Sequence, residues 1–338
     1  MVSQKRRELQ CDFAGQWNGK GIAYGPQRDR HTPTSLEQPS FQELYEDLLI
    51  ISQQWHFIRV YRVSQTSENI LHIIRQEKLP IRVLLGLWVV AADSDVHREH
   101  NRFSVHNAIK LANSYQDEVI GVSVGNEIFV HWSAHRIQDK GPVVDMIRFI
   151  RQHISQPVTV ADDYNFWNKP ESKVIASEID FLMLHVHPAW NGKSVQDGTS
   201  FVRETYQSIQ SFYPEIPIIL GECGWPTDYN PEKNGPDEQG TLIQGEVSEA
   251  AQSRFYREYM HWTEANQIPT LFFEAFDEIW KGGGAASGTH EVEKNWGVFT
   301  ANRKPKLVVK HLYPDKLMQE IEIKVAEYDD RVDELTTN

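Results

Sequence analysis

Apolar runs of strand length alternate with helical stretches about eight times along this chain, and that alternation limits the fold more than any other property of the sequence. The strand-like runs are GKGIAY (19–24), HFIRVYRV (56–63), IRVLLGLWV (81–89), VIGVSVGNE (119–127), VTVADD (158–163), FLMLHVHP (181–188), IPIILGE (216–222) and TLFFEAF (270–276). Between them, apolar residues recur at helical spacing, as in Phe41, Leu44, Tyr45, Leu48, Leu49 and Ile51, or Val202, Tyr206, Ile209 and Phe212. Further helices are predicted over Glu68–Lys78, Arg102–Tyr115, from about Pro142 to His153, and over Glu249–Ala265. Nearly continuous apolar strands separated by helices imply a parallel sheet covered on both faces. Repeated about eight times, that unit predicts a single (β/α)8 TIM barrel. An open doubly wound sheet would usually carry a Gly-rich phosphate loop after a strand, and none is present.

The barrel is expected over residues 16–313, after a polar leader (1–15) expected to be frayed. Residues 314–338 form a charged tail with Glu320, Glu322, Glu327, Asp329, Asp330, Asp333 and Glu334, read as an appended helix or a loose end. A formal charge of −13 opposes a phosphate backbone, so no nucleic-acid partner is expected. The longest apolar run, Val83–Ala92, falls well short of the roughly 18 residues of a membrane span. The N-terminus has no apolar signal core, and Cys11 and Cys223 make no disulfide framework, so a reducing, cytoplasmic setting is the expectation. Nothing in the sequence speaks to oligomeric state.

Polar residues at the C-terminal ends of barrel strands converge on one mouth. Here those ends supply Tyr24, Arg59, Tyr61, Trp88, Asn126, Glu127, Asp162, Asp163, His185, His187, Glu222, Glu274, Asp277 and Glu278. For any one carboxylate, a helix cap or a surface ion pair is the ordinary explanation. Glu127 and Glu222 differ, because each follows an apolar strand and a nearby glycine, where a buried charge is unfavourable unless it has a task. They stand on the fourth and seventh predicted strands, which face one another across a barrel. Two such acids are what glycosidic bond cleavage requires, one protonated to donate to the leaving oxygen and one ionised to attack.

The strings SVGNE (123–127), HVHPAWNG (185–192), LGECGWPT (220–227), FFEAFDEIWKG (272–282) and NWGVF (295–299) give the chain its likeness. From about Gly19 to Pro314 it resembles glycoside hydrolase family 17, the β-1,3-glucanase family, in its bacterial branch. The resemblance implies an endo-1,3-β-glucanase working by double displacement through a covalent glucosyl-enzyme, with Glu127 as acid/base and Glu222 as nucleophile. Transfer to a second sugar in place of water, a β-1,3-glucanosyltransferase activity, is the alternative it leaves open. It further implies that Asn126 bonds the sugar 2-OH and that Arg59 orients the nucleophile, with Tyr61 beside them. His187 stands where many relatives have Tyr, either bonding Glu222 or serving as a satisfied structural histidine. Glu278 and Lys281 match a positioning acid and lysine at the cleft.

Trp88, Trp167, Trp190, Trp225 and Trp280 are expected on mouth loops as platforms for sugar rings, with at least two of them expected to pack the rim instead. Cys223 replaces the usual Thr and reads as a small buried side chain. The Gly-rich run Lys281–Gly288 reads as a cover for acceptor subsites or as a plain surface loop. The implied partner is an oligo- or polysaccharide, with no cofactor and no metal. The competing readings are a metal-dependent hydrolase using His97/His100, His131/His135 or His185/His187, a non-catalytic sugar-binding barrel, and a barrel glycosidase for another β-linked glucan or mannan. The first lacks an HExxH pattern, and the second would normally have lost one of the two glutamates.

Overall fold

The computed structural model describes residues 5–13 and 15–336; residues 1–4 of the leader, Ala14 and the last two residues of the tail lie outside the described residues. So do the side chains of Asp329, Asp330, Asp333 and Glu334. A short hairpin, β1 (Asp12–Phe13) and β2 (Gln16–Trp17), precedes eight parallel strands. These are β3 (Lys20–Ala23), β4 (Phe57–Val60), β5 (Arg82–Leu87), β6 (Val119–Asn126), β7 (Val158–Asp163), β8 (Leu182–His185), β9 (Ile218–Cys223) and β10 (Thr270–Phe272). They close in the order β10-β3-β4-β5-β6-β7-β8-β9, a TIM barrel as the alternation predicts.

Helices α1 (Phe41–Ser52), α2 (Gln65–Gln76), α3 (Asp95–Ser114), α4 (Gly141–His153), α5 (Tyr164–Trp167), α6 (Lys173–Ala176), α7 (Val195–Phe212), α8 (Gln239–Leu242) and α9 (Glu249–Ala265) lie between the strands. Serine starts most of the long ones: Ser40, Ser64, Ser94, Ser194 and Ser248 each accept a backbone N–H of the first turn. The expected third helix begins seven residues early, at Asp95. Its first two turns are too polar to show a periodic apolar stripe, and the Ser94 cap sets the start.

Side chains alternate inward and outward along each strand. Phe57, Leu84, Ile120, Ala161, Phe181, Met183, Ile219 and Leu271 fill the barrel's interior at its N-terminal end. Gly21 is the small partner there, since a Cβ would lie 2.7 Å from both a ring carbon and the carbonyl oxygen of Phe57. Two residues further on, the same period carries Phe57 to Arg59 and Tyr61, and Met183 to His185 and His187. The interior of the barrel thus turns from apolar to polar toward its mouth.

The described part of the leader is docked, not frayed. Leu9 packs on the interior cluster, and Arg7 donates to the carbonyls of Arg151, Ile154 and Gln156 at the end of α4, at 2.7–2.9 Å. A cation suits the exposed carbonyls of a helix C-terminus, which the sequence of the leader alone does not reveal. The tail continues as α10 (Asp315–Thr336), which rests on α1 with Tyr45 and Tyr328 stacked 4.3 Å apart. Among the described residues no helix is long and apolar enough to cross a membrane.

Candidate active site

At the end of β6 the chain makes a tight hook. Gly125 has φ +86° and Glu127 has φ +50°, a region that a glutamate adopts only at a penalty of about 1–3 kcal/mol. A side chain at Gly125 would collide with Ile128, its Cβ lying 2.5 Å from the Ile128 Cδ1. The Glu127 amide donates to the Ala161 carbonyl at 2.9 Å, which anchors the hook to β7. Across the barrel, Glu222 projects from β9 and is buried. One carboxylate oxygen of each glutamate and a ring nitrogen of His185 lie within 4.8 Å of one another.

Arg59 is the hub of this arrangement, and it is buried. Its Nη1 donates to Glu222 Oε1 at 2.8 Å and to His185 Nε2 at 3.0 Å, while its Nη2 donates to Asn126 Oδ1 at 2.6 Å. Because the guanidinium takes the Asn126 oxygen, the Asn126 amide nitrogen is left to donate elsewhere. The Tyr61 hydroxyl donates to Glu222 Oε1 at 2.9 Å, and His187 Nε2 lies 3.4 Å from Glu222 Oε2. On the other acid, His185 Nδ1 lies 2.9 Å from Glu127 Oε1.

Burial alone would push the Glu222 carboxyl up. The hydrogen bond from His187 and the Arg59 guanidinium override it and hold the group well below the usual carboxylate range. His187 moves the other way: burial opposes its charge, but Glu222 lifts it above the ordinary histidine value. Beside Glu127, burial and then the charge of Glu127 push Asp162 well up, and burial raises Asp163 to about 6.

A second polar cluster adjoins the first. Lys281 Nζ bonds Glu274 at 2.7 and 2.8 Å and Glu278 at 2.7 Å, and Trp280 Nε1 donates to Glu278 at 2.9 Å. Its ammonium lies 4.6 Å from the Phe273 ring, which meets His187 edge-on at 5.4 Å. Burial pushes Glu274 well up, with Glu278 adding to the effect, whereas Lys281 holds Glu278 low against burial.

The structure thus brings Glu127, Glu222, Arg59, Tyr61, Asn126 and His187 into one group, with Glu278, Trp280 and Lys281 next to it. Trp88 is half-buried on the rim, tilted against His135 at 4.8 Å, and Trp190 is half-buried in the turn after β8. Trp167 and Trp225 are corrections. Both are fully buried, with their indole N–H groups donating to Met183 O and Glu246 O, and Trp225 packs on Phe255 of α9. Trp167 ends α5 directly after β7 and Trp225 lies two residues after β9, and both rings are packed beneath the surface instead of facing the cleft. Burial also pushes the Cys223 thiol up, so this cysteine is an inert packing group.

Sequence reasoning missed three features. His185 was seen as a strand-end residue but not as the group touching both acids. Glu293 lies within the field of Lys281, His187, Glu127 and Glu222, and burial pushes its carboxyl up. Its signal was its place two residues ahead of NWGVF. Trp132 is 51% exposed on a loop whose base is closed by the Ile137 amide on the Ile128 carbonyl.

Glu127, His185 and Glu222 are also the one group of described residues close enough to hold a metal ion. The fit is poor, because both ring nitrogens of His185 are engaged and the Arg59 guanidinium already stands where a cation would bind Glu222. The other histidine pairs are separated by their own bonds: His97 to Asp93, His100 to the Trp88 carbonyl and His135 to the Asn126 carbonyl.

A family model described as the BtgE/BtgC glycoside hydrolase domain matches residues 21–297. The chain is 26% identical to the glucan 1,3-beta-glucosidase of Schizosaccharomyces pombe, over 77% of this chain and 78% of that protein. It is 24% identical to the putative glucan endo-1,3-beta-glucosidase btgC of Aspergillus niger, over 86% of this chain but only 43% of that longer protein. Among solved structures, an endo-laminarinase from Formosa Hel1_33_131 shares the fold, with a TM-score of 0.74 at 22% identity, covering 88% of this chain and 87% of that one.

Proposed function

The chain belongs to the BtgE/BtgC glycoside hydrolase domain family, and from that premise we propose that it is a retaining endo-1,3-β-glucanase, with Glu222 as nucleophile and Glu127 as acid/base. The observation that carries the mechanism is the separation of the two acids. One oxygen of each acid within 4.8 Å of the other fits the roughly 5–5.5 Å spacing of a retaining pair better than the roughly 6.5–9.5 Å an inverting enzyme needs for its water. The name of the fission-yeast relative, glucan 1,3-beta-glucosidase, supports 1,3-linked glucan as the substrate.

In this reading Glu222 attacks through Oε2, because Oε1 already accepts two bonds, from Arg59 and Tyr61, whereas Oε2 meets only His187, at 3.4 Å. The C1–O bond breaks as the Oε2–C1 bond forms, and Glu127 gives its proton to the departing sugar oxygen. Glu127, now ionised, takes a proton from the acceptor, which attacks C1 and releases Glu222. Asn126 presents its amide N–H to the 2-OH, a contact that tightens in the transition state. Trp88, Trp190 and Trp280 remain as candidate surfaces for sugar rings.

Incubation with laminari-oligosaccharides, followed by NMR of the fresh products, tests this directly. The expected first product is the β-anomer of shorter laminari-oligosaccharides. Longer products would make a sugar the acceptor, and an initial α-anomer would overturn the retaining assignment.

The hold on Glu222 has its own consequence. With Arg59 in place the nucleophile stays ionised well below the usual carboxylate range, so Glu222 does not set the acid limb of kcat/KM. In Arg59→Met the burial of Glu222 is less opposed and its pKa rises, so Glu222 is expected to come to set the acid limb, which then lies at higher pH than in wild type. An unchanged limb in the variant would show that Arg59 does not control the nucleophile's charge.

A further inference from the structure

We infer that His185 is a positioning residue for the acid/base, locked in one tautomer so that the catalytic proton of Glu127 is confined to a single oxygen; this rests on the functional reading above. The ring lies between two partners that leave it no choice. Arg59 has only N–H groups to offer, so His185 Nε2, 3.0 Å from Arg59 Nη1, accepts. The ring proton is therefore on Nδ1, which donates to Glu127 Oε1 at 2.9 Å. An oxygen that accepts this bond is a poor place for the carboxyl's own proton. No hydrogen bond from the described residues falls on Oε2, so the proton resides there, free to pass to the glycosidic oxygen.

The local fold holds this arrangement in place. His185 is fully buried and is the last residue of β8, paired with Glu222 across the ladder. On its flank Gly221 allows the close approach, since a Cβ there would lie 3.1 Å from the ring. Arg59 therefore serves both acids at once, Glu222 directly and Glu127 through the tautomer it enforces on His185.

Three variants separate the two bonds of the ring. The amide nitrogen of Asn stands about where Nδ1 stood, so His185→Asn keeps the donor to Glu127. The longer His185→Gln reaches only the place of Nε2, and His185→Ala keeps neither. Each is assayed by kcat/KM, which reports the bond-breaking step, on laminaritriose and on 2,4-dinitrophenyl β-laminaribioside, whose leaving group needs no proton. A positioned acid that is displaced by about 1 Å loses about 100-fold. The expected result is therefore a fall of about 10- to 100-fold on laminaritriose for Gln and Ala. The same proteins should lose at least about tenfold less on the dinitrophenyl substrate than on laminaritriose, and circular dichroism checks that they are folded.

His185→Asn should recover most of the lost activity on laminaritriose. Equal losses on both substrates, or no recovery by Asn, would overturn the proposal and leave His185 a packing group. A wild-type enzyme inactive on both substrates would overturn the functional reading itself, and this inference with it.

Discussion

Truncating Glu222 to alanine is expected to lower kcat/KM on laminari-oligosaccharides by about 10⁴-fold or more, because no other group is placed to attack C1. The truncation leaves the buried Arg59 and Tyr61 donors facing an emptied place, and azide can restore both the lost charge and much of the lost volume. With an activated aryl laminaribioside, azide then attacks C1 directly, in one displacement, and the product is the α-glycosyl azide. The matching Glu127→Ala variant separates the roles. Its glucosyl-enzyme still forms when the leaving group needs no proton, and azide intercepts it from the opposite face to give the β-glycosyl azide. Both variants yielding the same anomer, or neither responding to azide, would sink the assignment of the two acids.

That pair was legible because each acid ends an apolar strand, a pattern a chain preserves only against the penalty of burying charge. The barrel was legible for a related reason: its strands are mostly apolar runs and helically spaced apolar stripes lie between them. What the sequence hid is set by three-dimensional closure. Nothing in LHVHP distinguishes His185 from His187, yet the two-residue period sends both inward and only the register with β9 puts His185 between the acids. Trp167 and Trp225 have the composition of sugar platforms, and whether a ring lies over the cleft or under the rim depends on turns whose direction local sequence does not encode. Arg7 looks like an exposed basic residue until the carbonyl end of α4 is brought beside it.

A buried charge that makes no contact with either acid ties together chain from both ends of the barrel, and replacing Asp47 is expected to give the largest loss of stability. Asp47, on α1, has no exposed surface. Arg303 grips it with two bonds of 2.8 Å, Arg28 adds one of 2.9 Å, and the Tyr24 hydroxyl donates at 3.0 Å. One carboxylate thus ties the end of β3, the loop before α1 and the chain after the last barrel strand. Asp47→Ala leaves the buried Arg303 guanidinium without its counter-charge, a loss of about 3–5 kcal/mol.

For a chain of this size that loss corresponds to a fall in melting temperature of about 4–7 °C, measured by calorimetry. Asp47→Asn keeps the shape and one acceptor but not the charge, so it should fall between wild type and Ala. The double variant Asp47→Leu/Arg303→Met should recover much of the loss, because the expense lies in the orphaned charge and not in the missing bonds. A double variant as unstable as Asp47→Ala would show instead that the hydrogen-bond geometry carries the stability, and an Asp47→Ala protein that melts with wild type would show that the network does not.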